Sequence, residues 1–139
     1  MRKFVVSSLA GLLAVVGAAP SASAQQAAAA AQTVSAPLLS KDIPEFAGKE
    51  VVMSTVTYPA GVASAPHRHD AHTFVYVLEG SVIMQVAGGQ ALTLGPGQTF
   101  YENPTDVHAT SKNASQTQPA KILVFMLKDK GKPATRPAP

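Results

Sequence analysis

The chain has 139 residues, a length that fits a single domain, and it contains no cysteine, so no disulfide can form within it. Its formal net charge of +3 falls to +1 once residues 1–24, which carry Arg2 and Lys3 and no acid, are set aside. No basic stripe remains for nucleic acid, and a small domain without disulfides must be stabilised by its core, by a metal, or by self-association as a homodimer.

The first 24 residues have the order of a secretory signal peptide. A short positive start is followed by the almost wholly apolar stretch 4–19, and small residues at 22–24 precede Gln25. We therefore predict cleavage before Gln25 and a bacterial protein that is periplasmic or secreted, with no membrane attachment afterwards. An uncleaved membrane anchor is the alternative, although the apolar stretch is short of the ~20 residues that a spanning helix needs.

Turn residues divide the rest of the chain into short strand-like runs. We predict an Ala/Gln-rich linker at 25–40, one β-domain at 41–128, and a disordered Lys/Pro-rich tail at 129–139. β-branched and alternating residues predict strands at 51–58, 74–78, 81–86, 91–94, 98–101, 107–111 and 121–127. The last of these runs is apolar throughout, which is typical of a strand buried on both faces.

The segments between the strands favour tight turns. Gly88-Gly89 suits a hairpin turn, and Gly95-Pro96-Gly97 has proline and then glycine where a type II turn needs them. Glu79-Gly80 is a turn signal rather than a catalytic pair. Because the mature part has no long helical period, the sequence predicts an all-β fold with a single closed antiparallel β-barrel.

All four histidines lie in the predicted β-domain, and three of them fall within six residues. His67 and His69 are two residues apart, so on a strand both side chains point to the same face and can bind one ion together. A third ligand must come from another strand. His108 follows a turn that can bring it back to this pair.

The segments that hold these histidines resemble the two motifs of the cupin superfamily. The first motif contains a glycine, His-x-His, a glutamate and a second glycine, and is similar to the segment from Gly61 to Gly80. The second motif is similar to the segment from Gly97 to Asn113. The similarity covers residues 45–128 and implies a jelly-roll-like double-stranded β-helix that binds a metal.

By this resemblance His67, His69 and His108 correspond to three of the family's metal ligands, whereas Thr73 stands where the family has its glutamate. Two alternatives follow for the fourth metal position. Either a small backbone shift lets His72 bind, giving four nitrogens, or three imidazoles bind and the remaining positions are open to water or substrate. Side-chain parity favours a solvated His72.

A site of imidazoles without a carboxylate affects the choice of ligand and of metal. Neutral imidazoles leave a divalent ion with its full charge, so the site should favour an anionic ligand or hydroxide. Nitrogen ligands suit iron, zinc, copper and nickel better than magnesium or calcium, and manganese remains an alternative. The sequence does not identify which divalent ion is bound.

Strand alternation also predicts which side chains line the barrel. Thr73, Val75 and Val77 share one parity, and we expect them to face inwards with the histidines. The residues between them should then face outwards. Gln85, Tyr101 and Glu102 are polar candidates near a pocket, although Tyr101 and Glu102 are more typical of ordinary residues at the barrel rim.

Two classes of function fit such a site. The resemblance implies a metal-dependent enzyme, dioxygenase-like or isomerase-like, acting on a small anionic or enolisable substrate, although no catalytic residue beyond the ligands can be named. The alternative is a non-catalytic periplasmic module that binds a small molecule or the metal itself. A purely structural metal is less favoured, because structural sites are usually closed to further ligands.

The signal peptide gives the first testable prediction. Protein recovered from the periplasm or the medium of its host should begin at Gln25, because cleavage follows the small residues at 22–24. Intact-mass spectrometry measures the mature start directly. A mass that still includes Met1 would contradict the prediction.

Overall fold

The computed structural model describes residues 31–139 and folds them into strands joined by turns. The predicted signal peptide at 1–24 and the first part of the predicted linker lie outside the described residues. Across 31–139, no helix has the length and apolar character needed to span a membrane. The strands in chain order are β1 Val34–Asp42, β2 Lys49–Tyr58, β3 Ala63–Ser64, β4 His67–Arg68, β5 Ala71–Glu79, β6 Val82–Val86, β7 Leu92–Leu94, β8 Thr99–Glu102, β9 His108–Asn113, β10 Ala120–Asp129 and β11 Arg136–Pro137.

The strands form two antiparallel sheets. One sheet has the order β1-β2-β10-β5-β8, and the other has the order β11-β4-β9-β6-β7, with β3 also paired to β9. The hydrophobic core includes Tyr58, Val77, Val82, Met84 and Ile122, which come from strands of both sheets. The all-β antiparallel fold predicted from the turn signals and strand alternation is confirmed.

β5 illustrates how alternation positions the interior. Thr73, Val75 and Val77 are buried, whereas Phe74 and Tyr76 between them are exposed. The predicted inward face of this strand is therefore confirmed. Since β5 lies between β10 and β8, its inward residues face the space shared by both sheets.

β10 is less enclosed than its apolar sequence predicts. Ile122, Val124 and Met126 are buried, but the residues between them are only partly buried, so the prediction of two buried faces is wrong. β10 is the middle strand of its sheet, and its outward side chains are shielded in part by cross-strand neighbours. Phe125, for example, contacts Phe74 of β5, with ring centroids 5.9 Å apart.

The structure corrects the prediction at both ends of the domain. β1 (Val34–Asp42) lies largely inside the predicted linker at 25–40, and β11 (Arg136–Pro137) lies inside the tail at 129–139 that was predicted to be disordered. Every residue of both strands is exposed, so neither has the apolar alternation that marks a strand in the sequence. Backbone pairing holds them instead, β1 to β2 and β11 to β4.

The turn after β5 depends on Gly80. Its φ of 69° lies in the left-handed region, and a Cβ there would lie 2.5 Å from the Pro119 carbonyl oxygen and 2.8 Å from the Ala120 Cα. Gly88, in the turn after β6, has a similar φ of 77°, but a Cβ there would meet no described atom within 4 Å. Gly80 is therefore required both by its backbone angle and by a close backbone approach.

Replacing Gly80 by alanine should destabilise the fold more than the same change at Gly88. Both variants carry the cost of a Cβ at positive φ, about 1–2 kcal/mol, whereas only Gly80→Ala adds a clash with backbone atoms, typically a further ~1–3 kcal/mol. Urea unfolding of the two variants measures this difference in the free energy of unfolding. Equal losses of stability would contradict the close approach at Gly80.

Candidate metal centre

Strand pairing brings three histidines together in the barrel interior. β4 pairs with β9 so that His67 lies directly opposite His108, and His69 follows two residues after His67. The candidate ligand nitrogens of the three rings all lie within 4.8 Å of one another. The ring centroids of His67 and His69 are 4.8 Å apart, and those of His67 and His108 are 5.0 Å apart. These three histidines form a group that could hold one metal ion.

Backbone carbonyls orient two of these rings. The His67 Nδ1–H donates to the Ala65 carbonyl oxygen at 2.8 Å, and the His69 Nδ1–H donates to the Ala134 carbonyl oxygen at 2.7 Å. Since a carbonyl oxygen can only accept, the neutral rings carry their free lone pair on Nε2. Burial lowers the pKa of His67, although the bond to Ala65 opposes this shift, and the neutral form that binds metal is favoured.

A β-bulge at Ala109 keeps His108 and Asn113 on the inner face. Two neighbouring residues of β6 pair with Thr110 and His108, so β9 contains one extra residue at this point. In a regular strand, the odd separation between His108 and Asn113 would place them on opposite faces. Both side chains are buried here, because the extra residue at the bulge changes the parity between them.

His72 lies apart from the three-histidine group. It is exposed on the outer face of β5, and its Nδ1 is hydrogen-bonded to the Tyr101 hydroxyl at 2.6 Å. The structure therefore does not place His72 at the fourth metal position, which was one of the two alternatives predicted from the sequence. β5 pairs regularly at this point, with His72 opposite Leu127 and Thr73 opposite Glu102, so parity directs the His72 ring outwards.

Glu102 is a site residue to which the sequence assigned no role at the metal. It was expected at the barrel rim with Tyr101, but the structure leaves only 1% of it exposed, in the cavity wall that also contains the three histidines. Its Oε1 lies 3.2 Å from Nδ1 of His108. The alternation of side chains along β8 is the signal that could have identified Glu102. Tyr101 is exposed and contacts Phe74 on the outer face, so the next residue faces inwards.

Several buried polar atoms at this point lack a partner from the protein. Within the described part of the chain, no hydrogen bond is made by Thr73 Oγ1, by either carboxylate oxygen of Glu102, or by either ring nitrogen of His108. Buried polar groups in this state are costly unless something binds them. Imidazole nitrogens beside one carboxylate suit a divalent transition metal, so these residues fit the ion that the cupin resemblance implies.

The histidines open onto a cavity of about 700 Å³. Much of its wall is apolar, with Val56, Val75 and Val124 among the lining residues. Arg136 is the one basic residue besides histidine among the described residues that line it, and the guanidinium forms an ion pair with Asp70. A cavity of this size can hold a small molecule beside a metal ion.

Comparison with known proteins connects this geometry to a family. The sequence profile of the Cupin domain matches residues 54–126, which include His67, His69 and His108. The chain belongs to the cupin family. Among curated proteins, no sequence matches it significantly.

Several solved structures have a similar fold. An uncharacterised conserved protein with a double-stranded β-helix domain from Klebsiella pneumoniae has 17% identity and a TM-score of 0.61, with 80% of this chain and 88% of that chain covered. A recombinant oxalate oxidase in complex with glycolate has 20% identity and a TM-score of 0.59, with 76% and 54% covered. The DMSP lyase DddQ from Ruegeria pomeroyi has 24% identity and a TM-score of 0.55, with 63% and 43% covered. This cupin thus spans less than half the length of that lyase, and the similarities establish the fold alone.

The C-terminal segment of this cupin forms part of the site. Ala134 provides the carbonyl that orients His69, and the Thr135 hydroxyl lies 3.2 Å from the same Nδ1. Arg136 forms its ion pair with Asp70, the residue that follows His69, and β11 pairs with β4. The segment predicted to be a disordered tail therefore supports two of the histidines.

Deleting residues 133–139 should weaken metal binding, because His69 loses the carbonyl that fixes its tautomer and orientation. Losing an outer-shell partner of this kind typically lowers metal affinity by about 10- to 100-fold. Deleting only residues 138–139 leaves Ala134 and β11 in place and is the matched control. Zinc affinity measured by chelator competition compares the two proteins, and equal affinities would contradict this role of the segment.

Proposed function

We propose that this cupin is an exported enzyme that binds one divalent transition metal through His67, His69 and His108 and acts on a small anionic or enolisable molecule. The observation that supports this proposal is the convergence of three imidazoles on the wall of a cavity with room for a small molecule. Protein ligands on one side of an ion leave the other side for substrate, as in catalytic rather than structural sites.

The ligand set suits iron, zinc, copper, nickel or manganese better than magnesium or calcium. A bound ion of this kind supplies a Lewis acid that polarises a substrate oxygen. The chain itself supplies the fixed orientation of the ligands. Nδ1 of His67 and of His69 donates a hydrogen bond to the carbonyl oxygen of Ala65 and of Ala134, respectively. This leaves Nε2 of each ring for the ion.

The lining of the cavity is also consistent with a small polar substrate. Much of its wall is apolar, and apolar surroundings strengthen the attraction between a charged substrate group and an ion. Among its lining residues, Tyr58 and Ser111 have hydroxyl oxygens 2.5 Å apart. Burial raises the pKa of Tyr58, so its phenol stays protonated and can donate a hydrogen bond.

A non-catalytic binding module is the second candidate function. Among the described residues that line the cavity, Glu102 is the one carboxylate and no lysine is present, so no general base stands apart from the proposed metal environment. Such a site suits retention of a small molecule as well as its turnover. Incubating metal-loaded protein with catechol-, flavonol- and diketone-like compounds, and with oxalate and glycolate, separates the two functions: product formation indicates an enzyme, and saturable binding without product indicates a binding module.

Replacing each histidine in turn tests the metal site. Wild-type protein should bind one divalent ion per chain, and alanine at His67, His69 or His108 should lower occupancy sharply, because each change removes one of three ligands. His72→Ala removes an imidazole from the same segment but outside the group, so its occupancy should stay near that of wild type. Metal content is measured after equilibration with zinc. Wild-type occupancy in both His67→Ala and His108→Ala would refute the proposal.

A further inference from the structure

We propose that Glu102 is a fourth protein ligand of this ion and supplies, from β8, the carboxylate that the cupin motif places on β5 at position 73. The inference rests on the proposed metal site and goes beyond it, since the motif assigns no ligand to β8. The carboxylate ligand would then come from the strand next to the one on which the motif places it.

The strand register places Glu102 beside Thr73. The two residues are direct partners in the antiparallel pair of β5 and β8. Directly opposite residues have Cβ atoms about 4.5–5.5 Å apart and project from the same face of the sheet. Both side chains are almost fully buried and line the cavity that contains the histidines. A carboxylate from either position therefore enters the same region of the interior.

In the described part of the chain, the surroundings of Glu102 leave its carboxylate oxygens without a hydrogen-bond partner. Neither carboxylate oxygen makes a hydrogen bond with any described residue, and Arg136, the one arginine lining the cavity, is paired with Asp70. Burying a carboxylate in this way costs free energy that an ordinary side-chain contact does not recover. A divalent cation held by the adjacent imidazoles would bind the carboxylate oxygens of Glu102.

Glu102 could instead act through His108, as an outer-shell carboxylate that orients the ring. Its Oε1 is 3.2 Å from Nδ1 of His108, but neither atom forms a hydrogen bond with the other. The rings of His67 and His69, by contrast, have well-formed Nδ1 bonds to backbone carbonyls at 2.8 and 2.7 Å. The contact with His108 thus lacks the hydrogen bond that an orienting carboxylate would make, and this leaves both carboxylate oxygens available to an ion.

Direct ligation changes the expected chemistry of the site. Three neutral imidazoles leave a divalent ion with its full charge, and one carboxylate lowers the net charge of the site by one. The preference for anionic ligands then becomes weaker than the sequence analysis expects. A carboxylate oxygen also improves the fit for harder ions such as manganese or ferrous iron relative to copper.

A swap of the two cross-strand residues tests the inference. Cobalt(II) is titrated into wild type, Glu102→Gln, and the double variant Thr73→Glu/Glu102→Thr, with affinity measured by chelator competition and coordination by the visible absorption spectrum. Glu102→Gln should change the spectrum and lower the affinity by more than the roughly 10- to 100-fold that loss of an outer-shell partner costs. The double variant should regain most of this affinity, because it returns a carboxylate to the same region. Glu79→Gln, which removes an exposed carboxylate from β5, is the matched control and should behave as wild type.

The possible outcomes separate the two proposals. If wild type binds no metal, the proposed function and this inference both fail. If wild type binds metal and Glu102→Gln binds it with the same affinity and spectrum, only the inference fails. It also fails if the double variant does not recover affinity, because a carboxylate acting through His108 cannot be replaced from position 73. Should Glu102→Gln not fold, Glu102→Thr takes its place in the titration, with lowered cobalt affinity and a changed spectrum supporting the inference and wild-type affinity and spectrum overturning it.

Discussion

The pairing of β9 with β4 and β6 is the constraint on which the site depends. Pairing with β4 places His108 opposite His67, and the bulge at Ala109 lets the same strand direct Asn113 inwards. The Asn113 side-chain amide donates to the carbonyl oxygens of Tyr58 at 3.0 Å and Gln118 at 2.8 Å, which ties together the loops beside β2 and β10. The strand that positions His108 therefore also fixes the loops at its other end.

The site is built at a cost to the stability of the metal-free protein. Thr73, Glu102 and His108 present buried polar atoms that the described residues do not satisfy, in a domain that has no disulfide. Metal that binds only the folded state would offset this cost, by about 2.7 kcal/mol at a free concentration of 100 times Kd. Metal binding and folding are thus expected to be coupled, as in other small domains whose ligands are brought together by folding.

The sequence predicted the features that local rules determine. The parity of β5 and the turn at Gly95-Pro96-Gly97 are examples, and Gly97 has the positive φ of 84° that a type II turn requires at that position. β1 and β11 escaped prediction because their side chains are exposed and their strand character comes from distant partners, β2 and β4. A proline-rich composition at the C-terminus indicates disorder, but it contains no information about the edge of β4 that pairs with it.

Glu102 escaped prediction for a related reason. A linear motif identifies Thr73 as the position where a carboxylate is missing, but it does not identify which residue lies beside Thr73 in space. That neighbour is fixed by the register of β5 with β8, two strands separated by a hairpin and further turns. Cross-strand partners project from the same face of the sheet, so a carboxylate can enter this part of the interior from β5 or from β8. The fourth ligand that we propose is therefore identified by strand register and not by spacing along the chain.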